Sequence, residues 1–215
     1  MYVPRHFEID DVDRVIEFVD AAGSADIVTF DGERLISSLV PVIWDRSIGE
    51  NGRLLAHLSI ANDQWRTTRT DVPALAIVHG PQAYISPSWY PSKHEHGRAV
   101  PTWNYVAVHF TGPVVFHPES EWLRDVVTRL TDKHETGRAD RWHVSDAPDS
   151  YIEGQLRGIV GVELLIERVE AKAKLSQNRS EADQAGAIEG LRGDAAVGAV
   201  EIADLMARGA FANRV

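Results

Sequence analysis

The chain of 215 residues contains no cysteine. That absence excludes a disulfide, a thiolate nucleophile, a zinc–thiolate centre and a cysteine-ligated cluster, so any redox chemistry must come from a bound cofactor. Long apolar runs are missing too. Nothing approaches the roughly 20 residues that a membrane-spanning helix needs, and Met1-Tyr2-Val3-Pro4-Arg5-His6 leads into acidic residues rather than an apolar signal core. The expectation is a soluble, cytoplasmic protein. The third shortage is of positive charge: 22 Lys+Arg stand against 32 Asp+Glu, a formal net charge of −10. Such a balance argues against gripping DNA by phosphate neutralisation, which needs a basic face. The densest basic cluster, Lys133, His134, Arg138 and Arg141, is interleaved with Asp132, Glu135 and Asp140 and reads as a solvated mixed-charge surface. Internal repeats, low-complexity blocks, Gly-rich phosphate loops, zinc-protease helices and nucleophile elbows are absent as well.

What is present, 44% hydrophobic and 25% charged residues, can bury one sizeable core within the range of a single domain. Asp10-Asp11 ahead of Val12, Val15, Ile16 and Val19 predicts a short capped helix that stops near Gly23. Residues 25–30 and 34–45 flank an Asp31-Gly32 corner and read as a hairpin, with Pro41 marking an edge or a bulge. Further strands are expected over 53–60, 73–79, 82–89 and 102–116, divided by Gly, Pro and Asn. From Pro118, suited to an early helical position, the spacing of Trp122, Leu123, Val126, Val127 and Leu130 predicts a helix covering the sheet. Residues 158–170 read as one late strand, and the alanine-rich tail beyond Ser180 as one or two helices. The fold class is mainly β with peripheral helices, and many short strands suggest a barrel closed to remove its edges.

Four constellations carry polar chemistry. The path from His57 through Ser59 and Asn62 to Gln64 and Arg66 starts in a strand and ends in a polar turn, where hydroxyl, amide and guanidinium donors can hold a phosphate; a strand end with a capped turn would look the same. Trp103-Asn104-Tyr105 offers a flat aromatic wall beside an amide, for a heteroaromatic ring or for core packing. Strand alternation sets Trp103 and Tyr105 on one side and Thr102 and Asn104 on the other. His94-Glu95-His96 has metal-ligand spacing on a strand, but its Pro- and Gly-flanked setting reads as a mobile polar loop and no metal site is expected. Lys174-Leu175-Ser176-Gln177-Asn178-Arg179 could pair with an anionic ligand or form an exposed linker.

Five ordered segments, Met1 to Phe7, His57 to Trp65, Tyr84-Ile85-Ser86-Pro87-Ser88-Trp89-Tyr90, Val100 to Tyr105 and Lys174 to Arg179, resemble the PaiB-like family of FMN-binding negative transcriptional regulators. The sequence differs from that family's pattern at Ala56, where glycine is usual, and at Asp63, where proline is usual. The resemblance implies an FMN-binding split β-barrel, normally a homodimer with FMN held between subunits. It implies a barrel domain over 1–180 and a helical tail over 181–215 packed on the barrel or on the dimer partner. It places Ser37, Ser38 and Val40 along the flavin ring and His57, Ser59, Asn62 and Gln64 near the ribityl phosphate, with Trp103, Asn104, Lys174, Gln177, Asn178 and Arg179 as further cofactor contacts. The function it implies is negative transcriptional regulation through flavin or ligand binding, while the acidic balance read above argues against direct DNA binding; the alternatives are a flavin-dependent oxidoreductase related to pyridoxamine-phosphate oxidases and a cofactor-free dimeric scaffold.

Overall fold

In the computed structural model, which describes residues 1–211, the Asp11 carboxylate accepts from the N–H groups of Asp13 at 3.1 Å and Arg14 at 3.4 Å. This caps helix α1 (Val12–Ala22), which stops where Gly23 turns left-handed at φ 68°. Strand β1 (Ser24–Phe30) turns at Asp31, whose carboxylate accepts from the N–H groups of Glu33 and Arg34 at 2.8 Å each, into β2 (Leu35–Pro41). The expected second hairpin arm over 34–45 is broken after Pro41. There β2, an edge strand, ends, and β3 (Ile43–Asp45) pairs instead with β4 (Arg53–Ser59) in a different sheet. An edge tolerates the missing proline N–H.

The polar turn after β4 contains one helical turn, α2 (Gln64–Thr67). Strand β5 (Ala74–Ile85) runs through the two strands expected over 73–79 and 82–89. Gly80 does not end it but marks a close approach, since a Cβ there would lie 2.6 Å from the Phe18 ring. Pro87 opens a one-turn 3-10 helix (Pro87–Trp89) that ends the expected strand early. His94 and His96 lie on α3 (Pro91–His96), not on a strand or loop, so at helical pitch they point roughly 200° apart.

Pro113 divides the strand expected over 102–116 into β6 (Thr102–Gly112) and β7 (Val114–His117). Helix α4 (Ser120–Glu135) begins after Pro118, with Glu119 at its N-cap. Helix α5 (Asp149–Leu156) has too short an apolar stripe to have been read from spacing. The late strand over 158–170 is two strands, β8 (Ile159–Leu165) and β9 (Arg168–Lys174), in different sheets. Between them the N–H groups of Leu165, Ile166 and Glu167 bond the carbonyls of Pro113, Gly52 and Thr111 at 3.0 Å each, partners no local pattern reveals. Helices α6 (Glu181–Arg192) and α7 (Ala199–Ala207) form the tail; residues 212–215 of the expected tail segment lie outside the described residues.

Hydrogen bonding orders the strands β2-β1-β5-β6-β9 in one sheet and β3-β4-β8-β7 in the other. The chain divides into two compact units, the first from Met1–Phe18, His79–Val108 and the described residues from Glu170 onward, the second from Val19–Val78 and His109–Val169. In the second, Val126 and Leu130 of α4 pack on Leu55 of β4, and Leu123 packs on Ile152 and Leu156 of α5. Burying each such leucine is worth about 2 kcal/mol. Gly161 of β8 seats the helix, because a Cβ there would lie 2.1 Å from the Trp122 ring. In the first unit, Gly186 and Gly190 notch α6 around Trp89, whose ring would stand 2.2 Å from a Cβ on Gly190. Among the described residues no helix is long and apolar enough to cross a membrane.

Candidate functional site

The candidate residues of the second unit gather around the hairpin. Along β2, Leu35, Ser37 and Leu39 are exposed, while Ser38 is partly covered and Val40 is buried. Ser37 Oγ donates to Asp26 at 3.4 Å. After β4, the Asn62 N–H closes on the Ser59 carbonyl at 2.9 Å, and Asn62 Nδ2 donates to Ser38 Oγ at 2.9 Å. Asn62 Oδ1 accepts the Gln64 N–H at 3.0 Å, an Asx turn that starts α2. Gln64, 1% exposed, spreads its Nε2 over the Ile27 carbonyl at 2.9 Å, Thr29 Oγ1 at 3.1 Å and the Ile36 carbonyl at 3.3 Å. Its Oε1 is buried with no partner. Among the described residues this acceptor is unsatisfied, at a cost of about 1–3 kcal/mol.

Asn62, Ser38 and Gln64 therefore come together; His57 does not join them. It lies across from Gly161 on β4 without a hydrogen bond among the described residues, and burial pushes its imidazole pKa down, favouring the neutral ring. Ser59 stays exposed, its Oγ accepting the Ala61 N–H at 3.3 Å. Asp63 is exposed and meets Arg66 at 3.3 Å, and that guanidinium stacks 4.4 Å over Trp65, so the negative charge at this position is locally offset.

In the first unit the alternation expected along β6 holds. Trp103 is exposed, its Nε1 donating to Gln82 Oε1 at 3.0 Å, and it meets the Tyr84 ring edge-on at 6.5 Å. Asn104 is fully buried, clamped to Ser176 Oγ at 3.0 Å and to Met206 Sδ at 3.5 Å. Gln177 is consumed in its own turn, accepting from the Leu175 N–H and donating to the Ala173 carbonyl at 2.7 Å each. Asn178 is exposed. Lys174 donates to Thr102 Oγ1, and Arg179 lies 4.9 Å over the ring of Tyr90. Burial first, then repulsion from Lys172 and Arg179, lowers the Lys174 pKa. Sequence reasoning passed over Lys172, although its spacing of two from Lys174 on a strand was a usable signal.

A further charged cluster in the second unit escaped it altogether. Asp45 accepts from Arg53 at 3.0 Å and Arg129 at 3.2 Å, and Glu163 meets Arg53 at 2.7 Å and His117 at 2.8 Å. The His117 ring stacks on Trp122 at 4.2 Å. These contacts link β3, β4, β7 and β8 to α4. Among the described residues no group of three or more His, Asp or Glu is placed to hold a metal ion.

A family model described as "Putative FMN-binding domain" matches residues 1–168. The chain belongs to this family. FMN is accordingly its cofactor. The Bacillus subtilis (strain 168) protein "Protease synthase and sporulation protein PAI 2", a PaiB protein, is 32% identical over 206 residues, covering 96% of each sequence. The FAD and heme binding protein from Mycobacterium smegmatis aligns with a TM-score of 0.57 at 14% identity over 90% of this chain and 82% of that one. The flavocytochrome Anf3 from Azotobacter vinelandii gives 0.55 at 15% identity over 86% and 78%. At such identities the likeness shows the fold alone, a mainly β split barrel with peripheral helices. Lys172, Lys174 and Arg179 lie beyond the residues that the family model matches.

Proposed function

We propose that this PaiB-like protein binds FMN as a homodimer and acts as a negative regulator through the bound flavin, rather than by reading DNA itself. The observation that carries the reading is the cluster of Ser38, Asn62 and Gln64, which joins the edge strand β2 to the turn after β4 through neutral hydroxyl and amide groups. A ligand rich in hydroxyl and imide groups suits such a surface, and FMN carries both on its ribityl chain and ring. Ser37, Ser38 and Val40 would border the flavin, with Asn62 and Gln64 orienting its polar chain and His57 and Ser59 toward the phosphate. Trp103 would offer a stacking face, and the tail over 181–215 would cover the barrel or the dimer partner. When bound, FMN supplies one- or two-electron redox chemistry. The acidic balance of the chain supports regulation through a ligand or partner over a direct grip on operator DNA.

The test is to denature purified protein, record the visible spectrum of what is released, and titrate FMN into the apoprotein by flavin fluorescence. Asn62→Ala removes the amide that holds Ser38 and starts α2, and should weaken FMN binding about tenfold, as loss of one well-made hydrogen bond does. An unchanged affinity would remove Asn62 and Gln64 from the site. NAD(P)H oxidation that depends on added FMN would instead make the protein an oxidoreductase.

A further inference from the structure

We propose that Lys172, Lys174 and Arg179, together with the Thr102 hydroxyl, form a receptor for a phosphate-type dianion. The site is built wholly within the first unit and goes beyond the contacts proposed for the flavin around Gln64.

Strand alternation on β9 sets Lys172 and Lys174 on one face. The chain then passes through Ser176, whose φ of 63° is a left-handed turn closed by the Arg179 N–H on the Ser176 carbonyl at 2.9 Å, and this returns Arg179 toward the same charges. Lys172 is 7% exposed, yet among the described residues its ammonium meets the Tyr2 carbonyl at 3.0 Å and the faces of Tyr105 and Tyr2, at 5.1 and 5.8 Å. Lys174 meets Thr102, and Arg179 meets the ring of Tyr90. Among the described residues none of these cations has a carboxylate within 4.0 Å.

The acids close by make their hydrogen bonds elsewhere, although Asp183 acts electrostatically on Arg179 from beyond ion-pair distance. Asp183 accepts from the Ser92 N–H at 3.1 Å and the Ser92 hydroxyl at 2.7 Å, and Glu170 meets the Met1 amino group at 2.6 Å. Tyr90, beneath Arg179, is fully buried with its hydroxyl unpartnered among the described residues. Like charges held together out of water are costly, and in a chain of net charge −10 the lack of an ion pair on these three cations is not a matter of supply. A group with two negative charges and several acceptor oxygens matches convergent ammonium, guanidinium and hydroxyl donors better than a single carboxylate does. The depth of Lys172 excludes a nucleic-acid backbone, which needs an open basic face.

The experiment is calorimetric titration of inorganic phosphate into the full chain at constant ionic strength. Wild-type protein should bind it, Lys174→Gln and Arg179→Gln should each weaken binding about tenfold, and Lys174→Arg should retain it. Arg34→Gln, an exposed cation of the second unit, controls for net charge and should change nothing. Should Lys174→Gln fail to fold, Arg179→Gln gives the same reading. Phosphate affinity equal in wild type and both variants, undetectable in wild type, or weakened equally by Arg34→Gln would overturn the proposal. FMN and riboflavin titrations locate the source. If FMN binding falls in the variants and riboflavin binding does not, the phosphate is the flavin's own and the placement of His57 and Ser59 toward it is overturned; if both hold while phosphate binding falls, the site serves a second phosphate ester. Absence of all flavin binding would defeat the function proposed above and leave the phosphate measurement readable.

Discussion

Two charged clusters of this protein are built on opposite principles. In the second unit, Asp45 and Glu163 are each 7% exposed, and every charge is matched: Arg53 bridges both acids, Arg129 adds to Asp45, and His117 adds to Glu163 while lying flat on Trp122. In the first unit, Lys172, Lys174 and Arg179 are covered to a comparable or lesser depth and form no ion pair within 4.0 Å among the described residues, Asp183 acting on Arg179 only from farther away. Buried charge is tolerated when it is paired and hydrogen-bonded. The matched cluster therefore has a complete structural explanation, whereas the unmatched one is complete only with an anion present.

The comparison breaks most readily at Asp45. Burial alone would raise the Asp45 pKa, but hydrogen bonds from Ser47, Arg53 and Arg129 outweigh it and hold the carboxyl below the usual carboxylate range. Asp45→Asn takes from Arg129 its buried partner and from Arg53 one of its two acids, leaving Arg53 on Glu163 and Arg129 on Asp125 at 3.6 Å, and should cost about 2 kcal/mol in urea unfolding. Because the folded pKa lies below the unfolded value of about 4, the contribution is full above that pH and is lost only as pH falls through the folded value. The deficit of Asp45→Asn should thus stay constant from pH 7 to pH 5; a deficit that shrinks over that window would show the ion pairs to be dispensable.

Gly161→Ala probes the same cluster by packing. The added methyl meets Trp122, the platform under His117, and should cost about 2 kcal/mol, with a change in near-ultraviolet circular dichroism from the displaced indole. Unaltered stability would mean that α4 shifts freely on the sheet. The smallest expected effect belongs to the unmatched cluster: in phosphate-free buffer at pH 7, Lys174→Met should lie within about 0.5 kcal/mol of wild type, or above it. The folded pKa of Lys174 is lowered, so above neutrality the unfolded chain holds more protons there and wild-type stability should gain from rising pH. Lys174→Met should flatten that gain; an identical alkaline limb in both proteins would deny the repulsion.

Local signals were readable wherever they were strong. The Asp11 cap and Gly23 stop bounded α1, Asp31-Gly32 turned the hairpin, and the stripe through Leu123, Val126 and Leu130 defined α4, because each depends on neighbours a few residues away. Strand ends were less legible. The breaks at Val42 and Ile166 arise where backbone N–H groups find the carbonyls of Gly23 and Gly52, and the continuity of β5 through Gly80 depends on Phe18. Among the candidate site residues, Asn62, Ser38 and Gln64 share hydrogen bonds, but Asn104 and Gln177 spend their polar groups on the chain's own turns and core. An amide in a motif looks the same whether it faces a ligand or a serine beneath it.

By itself the sequence determined the mainly β class, the family, and the absence of thiol chemistry, because composition, periodicity and ordered motifs are properties of the chain alone. Only the tertiary structure decided which groups meet: Asp45 with Arg129, Glu163 with His117, and Lys174 with the Thr102 hydroxyl. Coulomb energy depends on distance and burial, and residues such as Arg53 and Glu163, 110 apart in the chain, acquire both only on folding.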